Sequence, residues 1–387
     1  MKVCDWELDL GPCPTYDPAH FFVCSIVAQH FWLSSASVPF SVAEMIRLDE
    51  SQARYFLARL RWGEQGQICP ACGVIDHHHD IKSRKQWSCK HCGRRFSVTS
   101  GTPFADLKIG YVRLLTAIGL FVSSQKGIAA LALRRLIGGQ YRTSYVLLQK
   151  IREALMNTAA VEPLSGVVEI DGGHFAGKRR KGRKLKPEID PADVAIPKKY
   201  RKPQQRDKVP NSSFPHHPNR RIVLVMRELF EPGEGKGAAR TVVSVVRSEN
   251  GTDVEALVKR HVAKHSTIRT DELPAYGNLK LMGYYHETVN HSVEFSTDSG
   301  INQNQSESFF SRMRRAFIGV YHKITPRYMV DYAWEMAWRE DVRRQALSVQ
   351  ARNLFQRVAR SGISSDWTNY CRGNRRRVEL LFSAEAI

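Results

Sequence analysis

Two closely spaced cysteine pairs constrain the fold of this chain more than any other sequence feature. They read CPACG and CKHCG, and 16 residues lie between the second cysteine and the third. Cysteines separated by two residues can direct both sulfurs at one ion from a tight turn, and the glycine after each pair permits the positive φ that the turn needs. The pattern predicts a zinc ribbon holding one structural Zn²⁺, with four thiolate ligands: Cys69, Cys72, Cys89 and Cys92. Buried free thiols are the alternative.

The other cysteines and the N-terminal region indicate neither secretion nor a membrane span. The remaining four cysteines are scattered without a pattern, which favours metal binding over a disulfide framework. The apolar stretch FFVCSIVAQHFWLSSASVPF is interrupted by Gln29 and His30, and acidic residues precede it where a signal peptide carries positive charge. We therefore expect a cytoplasmic protein.

The charge of the chain points to a polyanionic partner. Among 387 residues, 58 Lys and Arg against 38 Asp and Glu give a formal net charge of +20. Residues 178–208 alone contain 13 Lys and Arg and 4 Asp and Glu, and their prolines and charges exclude a packed core. We expect an exposed loop that contacts nucleic-acid phosphates, although a solvated linker or an ordinary basic surface would have the same composition.

Helical periodicity surrounds the cysteine pairs. The run MIRLDESQARYFLARLRWG predicts a helix that leads into them, and three helices follow within 106–158, broken at Gly127 and at Gly138–Gly139. This arrangement resembles a helix-turn-helix whose third helix would carry Arg142 and Tyr145 to a DNA groove. A plain helical bundle that packs the zinc ribbon against the next domain fits the same pattern.

After Pro163 the pattern changes to short β-branched runs. These are GVVEIDGGHF, RRIVLVMREL, RTVVSVVRS and STIRTDEL, and a helix, DVEALVKRHVAKH, lies between the last two. Hairpin-like strands followed by a crossover helix predict a mixed α/β sheet. The chain then divides into five parts: an extension (1–44), a helix with the zinc ribbon (45–105), a helical segment (106–160), an α/β domain containing the basic stretch (161–344) and a C-terminal tail (345–387).

Three acidic residues stand where predicted strands or helices end or begin. Asp171 closes an apolar run, after which two glycines are expected to turn the chain. Asp271 closes another, and Glu307 follows after 35 intervening residues, near the start of a helix. Carboxylates placed in this way can converge on two divalent ions about 4 Å apart, as in phosphoryl-transfer sites. Turn formation and a favourable helix dipole are the alternatives. Glu169 and Glu272 are the neighbouring acids that could replace Asp171 and Asp271 as ligands.

The same motifs make the chain similar to a known family. It resembles the bacterial insertion-sequence DDE transposases that begin with a zinc ribbon, the ISXO-like group, over roughly Met45–Arg344. The segments that carry this resemblance are RLRWGEQGQICPACG, FSVTSGTPF, VVEIDGG, RTDELPAY, NQSESFFSRMRR, GVYHKI and YAWEMAWRED.

This resemblance implies a ribonuclease-H-like catalytic domain, in which Asp171, Asp271 and Glu307 hold two Mg²⁺ or Mn²⁺ ions. It implies cleavage and strand transfer of DNA, recognition of terminal inverted repeats by the ribbon and helical segment, a homo-oligomer on DNA and a place at the bacterial nucleoid. Further phosphate contacts are expected from Lys178, Arg179, Arg180, Lys181, Arg183, Lys184, Arg312, Arg314 and Arg315. A non-catalytic DNA-binding regulator and a ribonuclease-H-like nuclease remain the alternatives.

Overall fold

We analysed a computed structural model of the chain. It describes residues 41–105, 107–159, 162–175, 220–231, 234, 237–288 and 304–384. No helix within these ranges combines the length and the apolar character that crossing a membrane would need.

Two helices precede the cysteine region, where the sequence predicted one. They are α1 (Val42–Arg47) and α2 (Glu50–Trp62). The break lies at Asp49, whose side chain accepts the backbone N–H groups of Ser51 and Gln52, while the Gln52 side chain accepts the N–H of Asp49. This capping box starts a new helix inside a run that is otherwise periodic.

The cysteine region forms a small antiparallel sheet. Its strands are β1 (His78–Ile81), β2 (Gln86–Cys89) and β3 (Arg95–Phe96), paired in that order. Trp87 and Phe96 are buried between this sheet and α2, and Trp62 meets both rings edge-on. The zinc-ribbon region therefore packs against the preceding helix.

Four further helices complete a helical core around this sheet. They are α3 (Tyr111–Ser123), α4 (Ala130–Ile137), α5 (Tyr141–Asn157) and, much later in the chain, α9 (Leu347–Arg360). Buried side chains of α9, among them Leu354 and Phe355, join those of α2, α3 and α5 in one hydrophobic cluster. Part of the segment described above as a C-terminal tail is thus a packed helix.

The α/β domain is built on a mixed sheet, as the sequence predicted. Its strands are β4 (Val167–Phe175), β5 (Arg221–Leu229), β6 (Ala238–Val246), β7 (Thr267–Thr270) and β8 (Tyr285–Thr288). In the described residues the order is β6-β5-β4-β7-β8; β4, β5 and β6 pair antiparallel, and β7 pairs parallel with both β4 and β8. This is the ribonuclease-H-like fold that the resemblance implied.

Helices cover both faces of the sheet. Helix α6 (Gly251–His261) packs on one face with Val168 and Ile170, whereas α7 (Asn304–Gly319) and α8 (Met329–Val342) pack on the other with Val223 and Val225. Because side chains alternate along a strand, the odd-numbered residues of β4 face α7. This alternation places Asp171 on the α7 side.

Candidate active site and metal centre

The four predicted zinc ligands lie together at the edge of the small sheet. Their sulfur atoms are all within 4.8 Å of one another, and the Sγ–Sγ distances are 3.7 Å for Cys69–Cys92 and 3.6 Å for Cys72–Cys89. Tetrahedral Zn²⁺ with Zn–S bonds of about 2.3 Å would set its ligands about 3.8 Å apart. The cluster therefore fits a structural zinc ion.

The turns that carry these cysteines have the expected geometry. Gly73 and Gly93 have φ values of 74° and 69°, and each donates its backbone N–H to the carbonyl oxygen of the first cysteine of its pair at 2.9 Å. Burial raises the pKa of the Cys69 thiol, but the N–H groups of Ala71 and Cys72 and the thiols of Cys72 and Cys92 together lower it to about 7. At Cys72 the N–H of Val74 lowers the pKa, but burial and the neighbouring thiols outweigh it and the pKa is raised. At Cys69 the turn thus favours the thiolate that binds the metal.

Asp171 lies on β4, and Asp271 directly follows β7, the parallel strand beside it. The pairing of β4 with β7 sets Val167 opposite Thr267 and Glu169 opposite Arg269, and Asp271 is the first residue after β7. Continuing this register by two residues sets Asp171 beside Asp271, on strands about 4.8 Å apart. Asp171 belongs to the face of the sheet that α7 covers, and the same register predicts that face for Asp271.

The prediction that Gly172 and Gly173 turn the chain is wrong, because β4 continues through both of them to Phe175. A Cβ atom at Gly172 would overlap the carboxylate of Glu249, and one at Gly173 would overlap the ring of Phe310. The two glycines are therefore places where neighbouring side chains approach the strand closely, one on each face.

Glu307 lies in the first turn of α7, and its side chain is exposed. The start of this helix is fixed by Glu169, which is fully buried on β4 and accepts the backbone N–H groups of Gln305 and Ser306 at 3.0 and 2.9 Å. Arg227 of β5 holds the same turn by donating to the carbonyl oxygen of Gln305 at 2.5 Å. Glu307 is thereby held on the face of β4 that carries Asp171.

A fourth acid, Glu249, was missed by the sequence reasoning. It lies between β6 and α6, against Gly172, and accepts a hydrogen bond from the Tyr276 hydroxyl at 2.5 Å. Burial raises the pKa of Glu249, and the negative charges of Asp171 and Asp271 raise it further. A signal was available: β6 ends at the same edge of the sheet as β4, so an acid just after β6 would reach that edge.

The acidic residues near this edge of the sheet repel one another, whereas the group of three or more ligand atoms that already lies within metal-binding distance, among the described residues, is the cysteine cluster. Burial also raises the pKa of Tyr276, and the negative charges of Glu249, Asp171 and Asp271 raise it further, so several anionic groups share one edge of the sheet. Carboxylate oxygens are ligands that Mg²⁺ and Mn²⁺ prefer, and such an ion would offset this repulsion.

The residues predicted to bind DNA differ in their exposure and in their contacts. Arg142 is exposed at the start of α5, whereas Tyr145 is partly buried between Tyr141 and Trp367. Arg312 donates to the buried carboxylate of Glu340 at 2.5 Å. Arg314 and Arg315 are exposed on α7. The remaining six lie outside the described residues: Lys178, Arg179, Arg180, Lys181, Arg183 and Lys184. Phosphate contact by each of these residues remains a prediction.

Comparisons with known families agree with this architecture. Residues 163–341, from just before β4 to the end of α8, match the ISXO2-like transposase domain. Residues 48–95, from α2 to β3, match the transposase zinc-ribbon domain. No match was found among curated proteins.

Proposed function

This chain belongs to the ISXO2-like transposase family, with an N-terminal transposase zinc ribbon, and from that premise we propose that it cleaves and rejoins DNA at transposon terminal inverted repeats. The observation that carries the proposal is the parallel pairing of β4 with β7, because Asp171 lies two residues past the last paired residue of β4 and Asp271 directly follows β7. Helix α7, which bears Glu307, is held against the same face by Glu169. We infer that the carboxylates of Asp171, Asp271 and Glu307 meet at this edge of the sheet.

In the proposed reaction the three carboxylates act as metal ligands. When bound, two Mg²⁺ or Mn²⁺ ions would activate the attacking oxygen and stabilise the departing 3′ oxygen. Cleavage breaks the bond between phosphorus and the 3′ oxygen, and leaves a 3′-OH and a 5′-phosphate. In strand transfer that 3′-OH attacks a target phosphorus and displaces a target 3′ oxygen. One phosphodiester replaces another, so no external energy source is needed.

The remaining side chains would bind and position the DNA. Arg314 and Arg315 are exposed beyond Glu307 on α7, where they would neutralise backbone phosphates near the cut. The zinc ribbon and the α3–α5 segment would read the terminal repeat through a few base contacts and many phosphate contacts. Two transposon ends must be brought together, so we propose at least a dimer on DNA, acting at the bacterial nucleoid.

The test is divalent-ion-dependent cleavage of a labelled duplex carrying the repeat that flanks the gene. The parent protein is compared with Glu307→Gln, and binding is measured on the same duplex. We expect cleavage at the repeat end by the parent and its loss in the variant, with binding retained. A parent that binds the repeat but neither cuts nor joins it under Mg²⁺ or Mn²⁺ would favour a DNA-binding regulator. Cleavage that does not depend on the repeat would favour a nuclease.

A further inference from the structure

The residues after α9 form a loop that is fixed to α5 by a buried carboxylate. Glu153 of α5 is 2% exposed and accepts hydrogen bonds from the hydroxyl of Ser364, from the backbone N–H and hydroxyl of Ser365, both at 3.0 Å, and from the N–H of Asp366 at 3.2 Å. We refer to residues 364–377 as the arginine loop. Its first turn is thus built onto the third helix of the helical segment.

A buried arginine fixes the other end of the loop. Arg376 is 6% exposed and donates to Asp331 of α8 at 2.5 and 3.0 Å, and to Asp366 within the loop at 2.7 Å. Asn374 closes the loop by donating to the carbonyl oxygens of Ser365 and Thr368 at 3.0 and 2.7 Å. Buried, bidentate pairs of this kind hold a definite geometry. The arginine loop is therefore held at both ends.

Aromatic rings join this loop to the exposed start of α5. Trp367 is 1% exposed and its ring centroid lies 5.7 Å from that of Tyr145 and 5.5 Å from that of Tyr370. Tyr145 in turn stacks on Tyr141 at 6.0 Å, and the guanidinium of Arg375 lies 5.3 Å from the centre of the Tyr370 ring. A continuous row of rings thus runs from the first turn of α5 to the arginines of the loop.

Exposed arginines lie on both segments that carry this row of rings. Arg372, Arg375 and Arg377 are exposed on the loop, and Arg142 is exposed beside Tyr141. The sequence of the loop contains one acid, Asp366, which pairs with the buried Arg376. Residues 140–146, at the start of α5, contain none. The exposed arginines therefore have no carboxylate within these two segments to neutralise them.

We propose that the arginine loop and the first turn of α5 form one surface that binds the phosphate backbone of duplex DNA. Arg372, Arg375 and Arg377 contact phosphates beside the groove that α5 enters. Tyr145 supports the surface from beneath, since Trp367 and Tyr370 cover its ring. A fixed row of arginines on a rigid loop suits the regular spacing of phosphates and loses little conformational entropy on binding. This surface extends the proposed function, because it adds a DNA-binding element outside both family matches.

Its test is the salt dependence of DNA binding, measured without added divalent ions so that no cleavage occurs. The variant Arg372→Gln/Arg375→Gln/Arg377→Gln is compared with a control that also loses three exposed cations, Lys259→Gln/Arg260→Gln/Lys264→Gln. The control residues lie at the end of α6 and just after it, at the edge of the sheet opposite Asp171. The probes are a 30-bp duplex carrying the flanking repeat and a scrambled duplex of equal composition. Thermal unfolding confirms that both variants are folded.

We expect the slope of log K against log salt concentration to fall in magnitude by about 2 to 3 in the loop variant, since each lost phosphate contact removes about 0.9. Affinity should fall at least tenfold at low salt on both probes, because phosphate contacts carry no sequence information. The control should keep a slope within about 1 of the parent value. Cys371, exposed within the loop, provides a local readout: bound duplex should slow its alkylation by N-ethylmaleimide, measured on the peptide that contains it.

Three other outcomes overturn the proposal. If the salt slope of the loop variant equals that of the control, the arginines of the loop make no phosphate contacts. A fall in slope without protection of Cys371 places those contacts elsewhere on the protein. A parent that binds neither duplex overturns both this proposal and the proposed function. If the parent fails to cleave in the separate assay with Mg²⁺ or Mn²⁺, while the slope is reduced in the loop variant and Cys371 is protected, the proposed chemistry is overturned and the DNA-binding surface stands.

Discussion

The carboxylate of Glu169 accepts the backbone N–H of Ser306 at 2.9 Å, and this contact joins the strand that carries Asp171 to the helix that carries Glu307. Asp171 lies two residues after Glu169, and Glu307 follows Ser306 directly. Burial raises the pKa of Glu169, although the N–H groups of Ser306 and Gln305 and the charge of Arg227 oppose the rise. A single buried side chain thus sets the distance between two of the proposed metal ligands.

Replacing Glu169 with Gln should slow DNA cleavage without weakening DNA binding. Both N–H groups at the start of α7 donate to one carboxylate oxygen, which Gln retains as its amide oxygen, but loss of the negative charge weakens both hydrogen bonds, at a cost of about 1–3 kcal/mol. Because Glu307 would shift with the helix, we expect the cleavage rate to fall about 10- to 100-fold. Binding to the same duplex should change less than twofold, which separates mispositioning from loss of fold.

The matched control for this variant is Glu255→Gln on α6, whose carboxylate accepts a hydrogen bond from Asn278 at the surface. It should cleave at the parental rate. Equal cleavage rates in Glu169→Gln and in the control would show that α7 is positioned by other contacts.

Adding one methyl group at Gly173 should also disturb α7, here by a steric clash rather than by a weakened contact. A Cβ atom there overlaps the Phe310 ring, whereas one at Gly319, at the end of α7, meets no atom within 4 Å. We expect Gly173→Ala to lower the free energy of unfolding by about 1–3 kcal/mol. Gly319→Ala should change it by less than about 0.5 kcal/mol. Denaturant titration measures both values.

A double variant tests whether the clash itself is responsible. Gly173→Ala/Phe310→Leu removes the ring atoms that meet the new methyl group, so it should be less destabilised than the two single changes added together. Purely additive effects would mean that the glycine is needed for a reason other than the approach of Phe310.

Periodicity and spacing predicted much of the architecture, because these signals are local. The cysteine pairs identified the zinc-ribbon region, and the β-branched runs identified four of the five described strands of the larger sheet. Strand β8 was missed, since its four residues, YHET, lie at the sheet edge and contain no apolar run. The break before α2 was missed because Asp49 interrupts a pattern that remains periodic on both sides.

The parts of the site that escaped prediction depend on tertiary contacts. Gly172 and Gly173 have the composition of a turn, and only the approach of Glu249 and Phe310 explains them within a strand. Glu249 itself follows β6, a strand that is not adjacent to β4, so its signal becomes usable only once the strand order is known. The role of Glu169 likewise depends on the packing of α7, which pattern reading cannot supply.

Loss of zinc should unfold the ribbon and abolish specific DNA binding. Cys72→Ser removes one of four thiolates, and a structural site with three thiolates binds zinc far more weakly. We expect less than one zinc ion per chain by elemental analysis and a lower unfolding temperature. The control is Cys371→Ser, which changes an exposed thiol outside the ribbon and should keep its zinc. Full zinc content in Cys72→Ser would exclude that residue as a ligand.

A buried ion-pair network should be essential to the packing of the helical core on the α/β domain. Glu335 of α8 is 1% exposed and accepts from Arg152 of α5 at 2.5 Å and from Arg339 at 2.8 Å. Arg339 also donates to the carbonyl oxygens of Phe121 and Ser124 at the end of α3. Removing the Glu335 side chain leaves the two buried guanidinium groups, of Arg152 and Arg339, without their shared carboxylate.

We therefore expect Glu335→Ala to lower the free energy of unfolding by about 3–5 kcal/mol. The comparison is Glu64→Ala, whose partner Arg59 is exposed and whose loss should cost less than about 1 kcal/mol. If the two variants unfold at the same denaturant concentration, the network contributes no more than a surface pair.

Asp341 should make the stability of the protein depend on pH near neutrality. It lines a cavity of about 40 Å³ with Trp334, Trp338 and Arg357. Burial raises the pKa of Asp341 to about 7, although Thr241 and nearby arginines oppose the rise. The folded state then holds the proton more tightly than the unfolded chain, so between about pH 4 and pH 7 it binds more protons and loses stability as the pH rises.

Asp341→Asn removes this titration. The difference in free energy of unfolding, variant minus parent, should therefore rise from about pH 4 to about pH 7 and stay constant above pH 7. At pH 8 we expect the variant to be the more stable form. Denaturant titrations at five pH values measure the difference, and Glu44→Gln, at an exposed acid in α1, should show no such trend. A difference between Asp341→Asn and the parent that is independent of pH would mean that the Asp341 carboxylate is ionised across this range.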